Sequence, residues 1–174
     1  HIPTTFDRYF EPFLGGGALF FNLRPQKARL SDLSEDLVNT YSQVRNYPEE
    51  VISLLNEMKY EKSVYYEIRG KKIEDKFHRA ARFIYLNKTC WNGLYRVNSR
   101  GEFNVPFGRY TNPLICDEQN LRNVSSVLQK SKVVIADFEE ALEDAKQGDL
   151  VYLDPPYTTS HNNNGFIEYN SKIF

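Results

Sequence analysis

The chain has 174 residues, 41% of them apolar and 14% aromatic, which suffices for the core of one moderate-sized domain and excludes a disordered chain. No stretch approaches the roughly eighteen apolar residues of a membrane span and no signal peptide opens the chain, so a cytoplasmic protein is expected. The net charge of −1 sets no overall bias toward an anionic partner, but ten Lys and Arg against three Asp and Glu between residues 69 and 110 leave +7 there and −8 elsewhere.

Such segregation suits an insertion that grips phosphates on an otherwise acidic body, although Lys71, Lys72 and Lys76 equally suit a solvated helix face. Residues 7–12 read as a short strand, followed by the turn Gly15-Gly16-Gly17 and a helix opening at Ala18-Leu19-Phe20-Phe21. Residues 28–32 read as a second strand ending in Asp32. Leu37, Val38, Tyr41 and Val44 then recur at helical spacing, and Pro48 suits the first turn of another helix. Strand, glycine turn, helix and strand in that order imply a βαβ unit with a parallel sheet.

Residues 63–88 read as helix or helices, with Phe77, Ala80, Ala81, Ile84 and Tyr85 on one face. The period changes after residue 90, and residues 94–107 read as a β-hairpin turning at Asn98-Ser99-Arg100-Gly101. A helix led by Asp117 follows. Val133-Val134-Ile135-Ala136 reads as a buried strand ending in Asp137, Gly148 as the stop of the next helix, and residues 150–153 as a last buried strand. Cys90 and Cys116 stand too far apart for a C-x-x-C and are read as packing residues, and His1, His78 and His161 as surface groups. No metal site is indicated.

The last strand stops in Asp154-Pro155-Pro156-Tyr157: a carboxylate, two residues of fixed φ and an aromatic ring. Ligands of open α/β sheets collect at the carboxyl ends of strands, where this corner offers an acceptor and a flat ring to a planar group bearing an amino function. The bland alternative is a tight turn after a core strand. The glycine turn has Glu11 just before it and no Lys within it, which favours a cationic or hydroxylated ligand over pyrophosphate. Asp32 suits a ribose diol or the N-cap of the next helix, and Asp137-Phe138 suits an adenine amino group and face or another cap. Together these features point to S-adenosylmethionine, with S-adenosylhomocysteine as its product.

The segments EPFLGGGALFF, LSDLSEDL, IADFEEAL and LDPPY, in that order and joined by LNKTCWNGLYRVNSRGEFNVPFGRY, resemble the Dam family of DNA N6-adenine methyltransferases from Phe6 to Tyr157. The resemblance implies an α/β, Rossmann-like methyltransferase sheet over residues 1–57 and 113–174. Into it is inserted a mainly helical DNA-recognition domain, 58–112, carrying the hairpin 94–107. It implies methyl transfer to N6 of a flipped-out adenine in double-stranded DNA, typically in GATC, by a monomer in a bacterial, phage or archaeal setting, with or without a partner restriction enzyme. Glu11, Pro12, Phe13, Gly15, Gly17, Asp32, Leu33, Asp137, Phe138 and Asp154 would then line the cofactor pocket, and Asp154, Pro155, Pro156 and Tyr157 would be catalytic. Lys88, Trp91, Asn92, Leu94, Arg96, Asn98, Arg100, Pro106 and Arg109 would face DNA, Arg96 as a guanine reader or a phosphate contact. Trp91 or Leu94 would wedge into the stack or pack beneath the hairpin.

Two segments of the family pattern, an N-terminal Lys-Trp-(Ala/Thr)-Gly-Gly-Lys and the C-terminal strands, are not found, so the chain is expected to be incomplete at both ends. A non-catalytic DNA-binding remnant and an RNA or protein amino-group methyltransferase are the rival readings.

Overall fold

Four strands, all parallel, lie in the order β3-β2-β1-β4 in the computed structural model, which describes residues 2–156. β1 (Tyr9–Glu11) pairs with β2 (Ala28–Asp32) on one side and with β4 (Leu150–Val151) on the other, and β3 (Ser131–Ile135) pairs with β2. The chain walks outward from β1 through β2 to β3, then returns to the far side of β1. That reversal is the switch point of a doubly wound sheet, and it lies between the carboxyl ends of β1 and β4.

The connecting helices are α1 (Ala18–Leu23), α2 (Glu35–Asn46), α3 (Pro48–Asn56), α4 (Lys62–Gly70), α5 (Lys76–Thr89), α6 (Glu118–Leu128) and α7 (Phe138–Leu142). Their starts follow from local chemistry. Ser34 caps α2 by accepting from the Leu37 N–H at 3.3 Å, Asp75 caps α5 through the N–H groups of Phe77 and His78, and Asp117 caps α6 through Asn120. Pro48 opens α3, as its spacing predicts.

Two apolar clusters form the interior. Tyr9, Leu14, Phe20, Leu30 and Leu128 pack between the sheet, α1 and α6. The larger cluster joins Val44, Val51 and Leu55 of α2 and α3 to Tyr65 of α4, to Ala80, Ala81, Tyr85 and Leu86 of α5, and to Phe103 and Val105 of the returning chain. The helices after residue 58 therefore share one core with those before it. Tyr65, fully buried, also donates its hydroxyl to the Val105 carbonyl at 2.8 Å and ties the returning segment down.

The region 63–88, read as helix or helices, is two helices, broken at residues 71–75. Several other expectations are corrected. Residues 94–107 reverse at the turn read for them, with Val97 opposite Phe103 in an antiparallel bridge and the Asn98 and Asn104 N–H groups donating to the Glu102 and Arg96 carbonyls, but the two arms do not extend into continuous strands. Pro106 has no N–H for a ladder, and Phe103 and Val105 turn into the core. Residues 133–136 and 150–153 contribute the strands read for them, β3 and β4, but those strands are only partly buried. Among the described residues β3 and β4 are the sheet edges, and Ile135 and Leu153 are each more than half exposed. Gly148 lies in the turn that leads into β4, where its carbonyl accepts from the Asp7 N–H at 2.8 Å, and does not close α7. Cys90 is buried and Cys116 half-buried, both as free thiols, and His78 is exposed beside Asp75. His1 and His161 lie outside the described residues.

Candidate functional site

The carboxyl ends of the four strands converge on one cavity of about 1050 Å³. Pro12, Phe13 and Gly15 reach it from β1, Asp32 and Leu33 from β2, Asp137 and Phe138 from β3, and Asp154 and Pro156 from the corner after β4. Residues of the helical segment, among them Asn87, Lys88, Tyr95 and Val97, form another part of its wall. Eight of the ten cofactor-pocket candidates thus line one space, Glu11 and Gly17 being the two that do not.

The glycine turn is held open by hydrogen bonds rather than by packing alone. The Leu14 N–H donates to the Ser31 carbonyl at 3.0 Å, the Gly15 N–H to Asp32 Oδ2 at 3.1 Å, and the Tyr41 hydroxyl to the Gly15 carbonyl at 3.1 Å. Gly17 sits at φ +62° as the N-cap of α1, and a Cβ there would lie 3.0 Å from the Phe21 ring, so glycine fits both the backbone and the space. Asp32 does not cap α2. Its Oδ1 accepts from the Ser34 N–H at 2.9 Å, and Ser34 is the cap. Asp137 lines the cavity and is also the N-cap of α7, accepting from the Glu139 N–H at 3.1 Å. Phe13 and Phe138 stack across the site, with ring centroids 5.8 Å apart.

Glu11 is the electrostatic anomaly. It is 3% exposed, and burial pushes its carboxyl up to about 6, with the nearby Asp154 carboxylate adding to the rise. Hydrogen bonds from the Tyr9 hydroxyl and from the Phe20 backbone oppose that rise. The Tyr41 hydroxyl is pushed up as well, chiefly by burial and then by Glu11 and Asp32. Because the folded Glu11 holds its proton more tightly than an unfolded glutamate, stability falls as pH rises from about 4.5 to about 6 and the cost is complete above that window. Glu11→Gln removes it. The variant is expected to gain about 2 kcal/mol relative to the parent between pH 4 and pH 8, as read by urea denaturation at the two pH values.

Asp154 is exposed and faces the cavity, with the Tyr152 hydroxyl 3.5 Å from its Oδ2. Pro155 is exposed beside it, and Tyr157 lies outside the described residues.

The proposed DNA-facing residues divide. Trp91 is half exposed on a short 3₁₀ turn with Asn92 at φ +54°, whereas Leu94 packs against the large core. The Arg96 Nε donates to Asn104 Oδ1 at 2.7 Å across the reversal. Asn98 is used inside the turn, its Oδ1 accepting from the Arg100 and Glu102 N–H groups and its amide donating to Glu102. Pro106 offers its carbonyl to the Trp91 N–H, and Arg100 and Arg109 are exposed. A second cavity, about 630 Å³, gathers Arg69, Lys71, Lys72, Arg79, Arg82 and Arg100. Much of that charge has structural partners: Arg79 pairs with Asp36 at 2.6 Å, Lys71 with Glu67 at 2.6 Å, and Arg82 donates to the Ile68 and Arg69 carbonyls.

Sequence reading missed Tyr41, Ser34 and Tyr95. The offset of Ser34 from Leu37 is an N-cap signal, but nothing in the pattern aims the Tyr41 hydroxyl at a glycine carbonyl.

The whole chain, residues 1–174, matches the family described as D12 class N6 adenine-specific DNA methyltransferase. The chain belongs to that family. It is 40% identical over 183 residues to the type II methyltransferase M1.LlaDCHI of Lactococcus lactis subsp. cremoris, across 99% of this chain and 64% of that protein. To the type II methyltransferase M.MjaIII of Methanocaldococcus jannaschii it is 43% identical over 185 residues, across 96% of this chain and 64% of the relative. With the DNA adenine methylase of Escherichia coli K12 the figure is 34% over 180 residues, across 100% of this chain and 64% of that enzyme. This D12-class chain therefore spans a little under two thirds of the length of these curated relatives. The resemblance to Dam enzymes read from its motifs is borne out at the level of family. Among the described residues no helix is long and apolar enough to cross a membrane, and no group of three or more His, Cys, Asp or Glu is placed to hold a metal ion.

Proposed function

We propose that the chain carries the cofactor pocket and adenine-receiving corner of a site-specific DNA adenine methyltransferase that uses S-adenosylmethionine and acts on GATC or a related duplex site. The observation that carries this reading is the convergence of Asp32, Asp137 and Asp154 with the glycine turn on one cavity at the sheet's switch point. Residues 1–57 and 113–174 would hold cofactor and residues 58–112 would engage DNA.

The donor set fits the cofactor: carboxylates for its cationic and hydroxyl groups, the Phe13 and Phe138 rings for its purine, and no Lys in the glycine turn to call for phosphate. When bound, S-adenosylmethionine supplies an electrophilic methyl group. The protein's part is positioning and polarisation, because the exocyclic nitrogen of adenine shares its lone pair with the ring and is a poor nucleophile. Asp154 and the Pro155 carbonyl each accept one N6–H, which frees the nitrogen's lone pair to develop toward the methyl donor. The target atom is unreachable in a stacked duplex, so the base is extruded. Tyr157 gives it a face on which to stack, worth roughly 1–3 kcal/mol, against the few kcal/mol that flipping requires. Trp91 is the wedge into the vacated stack, since it is exposed where Leu94 is packed.

Transfer of tritiated methyl from S-adenosylmethionine by the full-length protein, run side by side on duplex DNA and on RNA, tests the reading. Labelled N6-methyladenine in DNA supports it, and label in RNA or protein alone overturns it. Protection of a plasmid from nucleases that differ in sensitivity to GATC methylation tests the site. Arg96→Ala is expected to relax discrimination at one base by about 1–3 kcal/mol, read as affinities across single-base site variants. Equal weakening on every sequence, with a shallower salt dependence, would mark Arg96 as a phosphate contact.

A further inference from the structure

Tyr9 has no part in the chemistry described so far, yet it is wholly buried and its hydroxyl donates to Glu11 Oε2 at 2.8 Å. Residues i and i+2 of a strand point to the same face, so β1 itself sets the two side chains side by side. The Glu11 carboxylate is 3% exposed. Among the described residues, the groups that bear on it are the Tyr9 hydroxyl from its own strand, the Phe20 backbone from α1, the Tyr41 hydroxyl from α2 and the Asp154 carboxylate from beyond β4. Tyr152 bears in turn on Tyr9, and Asp32 on Tyr41. None of these is a cation. A buried carboxylate beside a second carboxylate is costly without a positive partner, and the fold keeps this one with two neutral donors.

We infer that Tyr9 is a positioning residue for cofactor binding, its hydroxyl fixing the Glu11 carboxylate, which stands behind the cavity wall one residue before the lining residue Pro12, as the counter-charge for the cationic end of the methyl donor. The inference rests on the cofactor assignment proposed above, and it gives the buried pair a purpose beyond satisfying a tyrosine. A tyrosine donating to an ionised carboxylate favours the charged form, which opposes the burial that raises Glu11. Tyr9→Phe keeps the ring and removes only that donor.

The test has one arm without ligand and one with it, both on the full-length protein. In the cofactor-free protein, carbon-13 carboxyl NMR follows the titration of Glu11, the signal being assigned by its loss in Glu11→Gln. Tyr9→Phe is expected to move that midpoint up by about one pH unit. In the second arm, calorimetric titration with S-adenosylmethionine between pH 5 and 7.5 is expected to show affinity declining on the acid side. Tyr9→Phe should shift that decline upward by the same interval, with less than twofold change on the alkaline plateau, and Glu11→Gln should abolish the step in either background. An unmoved Glu11 midpoint in Tyr9→Phe overturns the inference, as does equal weakening at every pH or persistence of the step in Glu11→Gln. A parent protein that binds no S-adenosylmethionine at any pH overturns the cofactor reading and the inference with it, while the carboxyl titration still reports whether the hydrogen bond orders Glu11.

Discussion

Asp154→Ala in the full-length protein is expected to slow methyl transfer about 10²–10³-fold under single-turnover conditions, the loss that follows removal of one preorganised polar contact to the reacting group. Affinity for duplex DNA should change little, because the groups proposed to meet phosphate are cations of residues 58–112, and Asp154 supplies no positive charge. Folding should change little as well: Asp154 is exposed, and a surface substitution of this kind stays within about 0.5 kcal/mol. The combination is what separates a chemical role from a structural one. Asp154→Asn keeps the size and one acceptor oxygen while losing the charge, so its rate should fall between those of the parent and the alanine variant. Turnover unaltered by Asp154→Ala in a tritiated-methyl assay would remove the corner from the chemistry.

The second large effect is on stability. Tyr65→Ala should cost about 3–5 kcal/mol in urea denaturation, the range for deleting a large buried ring. The ring lies against Tyr85 and Phe107, and its hydroxyl meets the Val105 carbonyl at 2.8 Å. Tyr65→Phe keeps the packing and forgoes the hydrogen bond, so it should cost only about 1–2 kcal/mol. Arg69 also donates to the Val105 carbonyl, at 3.0 Å, and softens that loss. If the two variants lose equal stability, the hydroxyl rather than the ring holds the returning chain.

Much of the sheet was legible because its signals are local. Acid-terminated strands, three glycines in a row and Pro48 at a helix start each have a conformational cause within a few residues. The convergence of Asp32, Asp137 and Asp154 was legible too, since parallel strands carry their carboxyl ends to one edge. What failed depended on distant partners. Residues 94–107 carry a strand-like period, but Pro106 denies a ladder and the core draws in Phe103 and Val105. The runs at 133–136 and 150–153 are apolar, yet composition does not say which strands occupy the edges among the described residues. The bonds of Asn98 to Arg100 and Glu102 within its own turn were not foreseen, and its contact with DNA stays a proposal. The hydroxyls of Tyr41 and Tyr9 meet the glycine turn and Glu11 through contacts that no spacing rule encodes.

On the proposal that residues 58–112 engage DNA, the apolar interior that runs from Val44, Val51 and Leu55 through Tyr85 to Phe103 bears on how such a molecule could be re-targeted. Exchanging the whole stretch 58–112 for that of a cousin would strip the lining from α2 and α3 and expose it to water, so transplanting that stretch as a cassette risks insolubility before any change of target is seen. The outer rim, from Trp91 to Arg100, leans on that interior through few side chains and leaves Trp91 and Arg100 at the surface. Reprogramming is therefore best attempted by short edits along the rim, with the buried scaffold left whole.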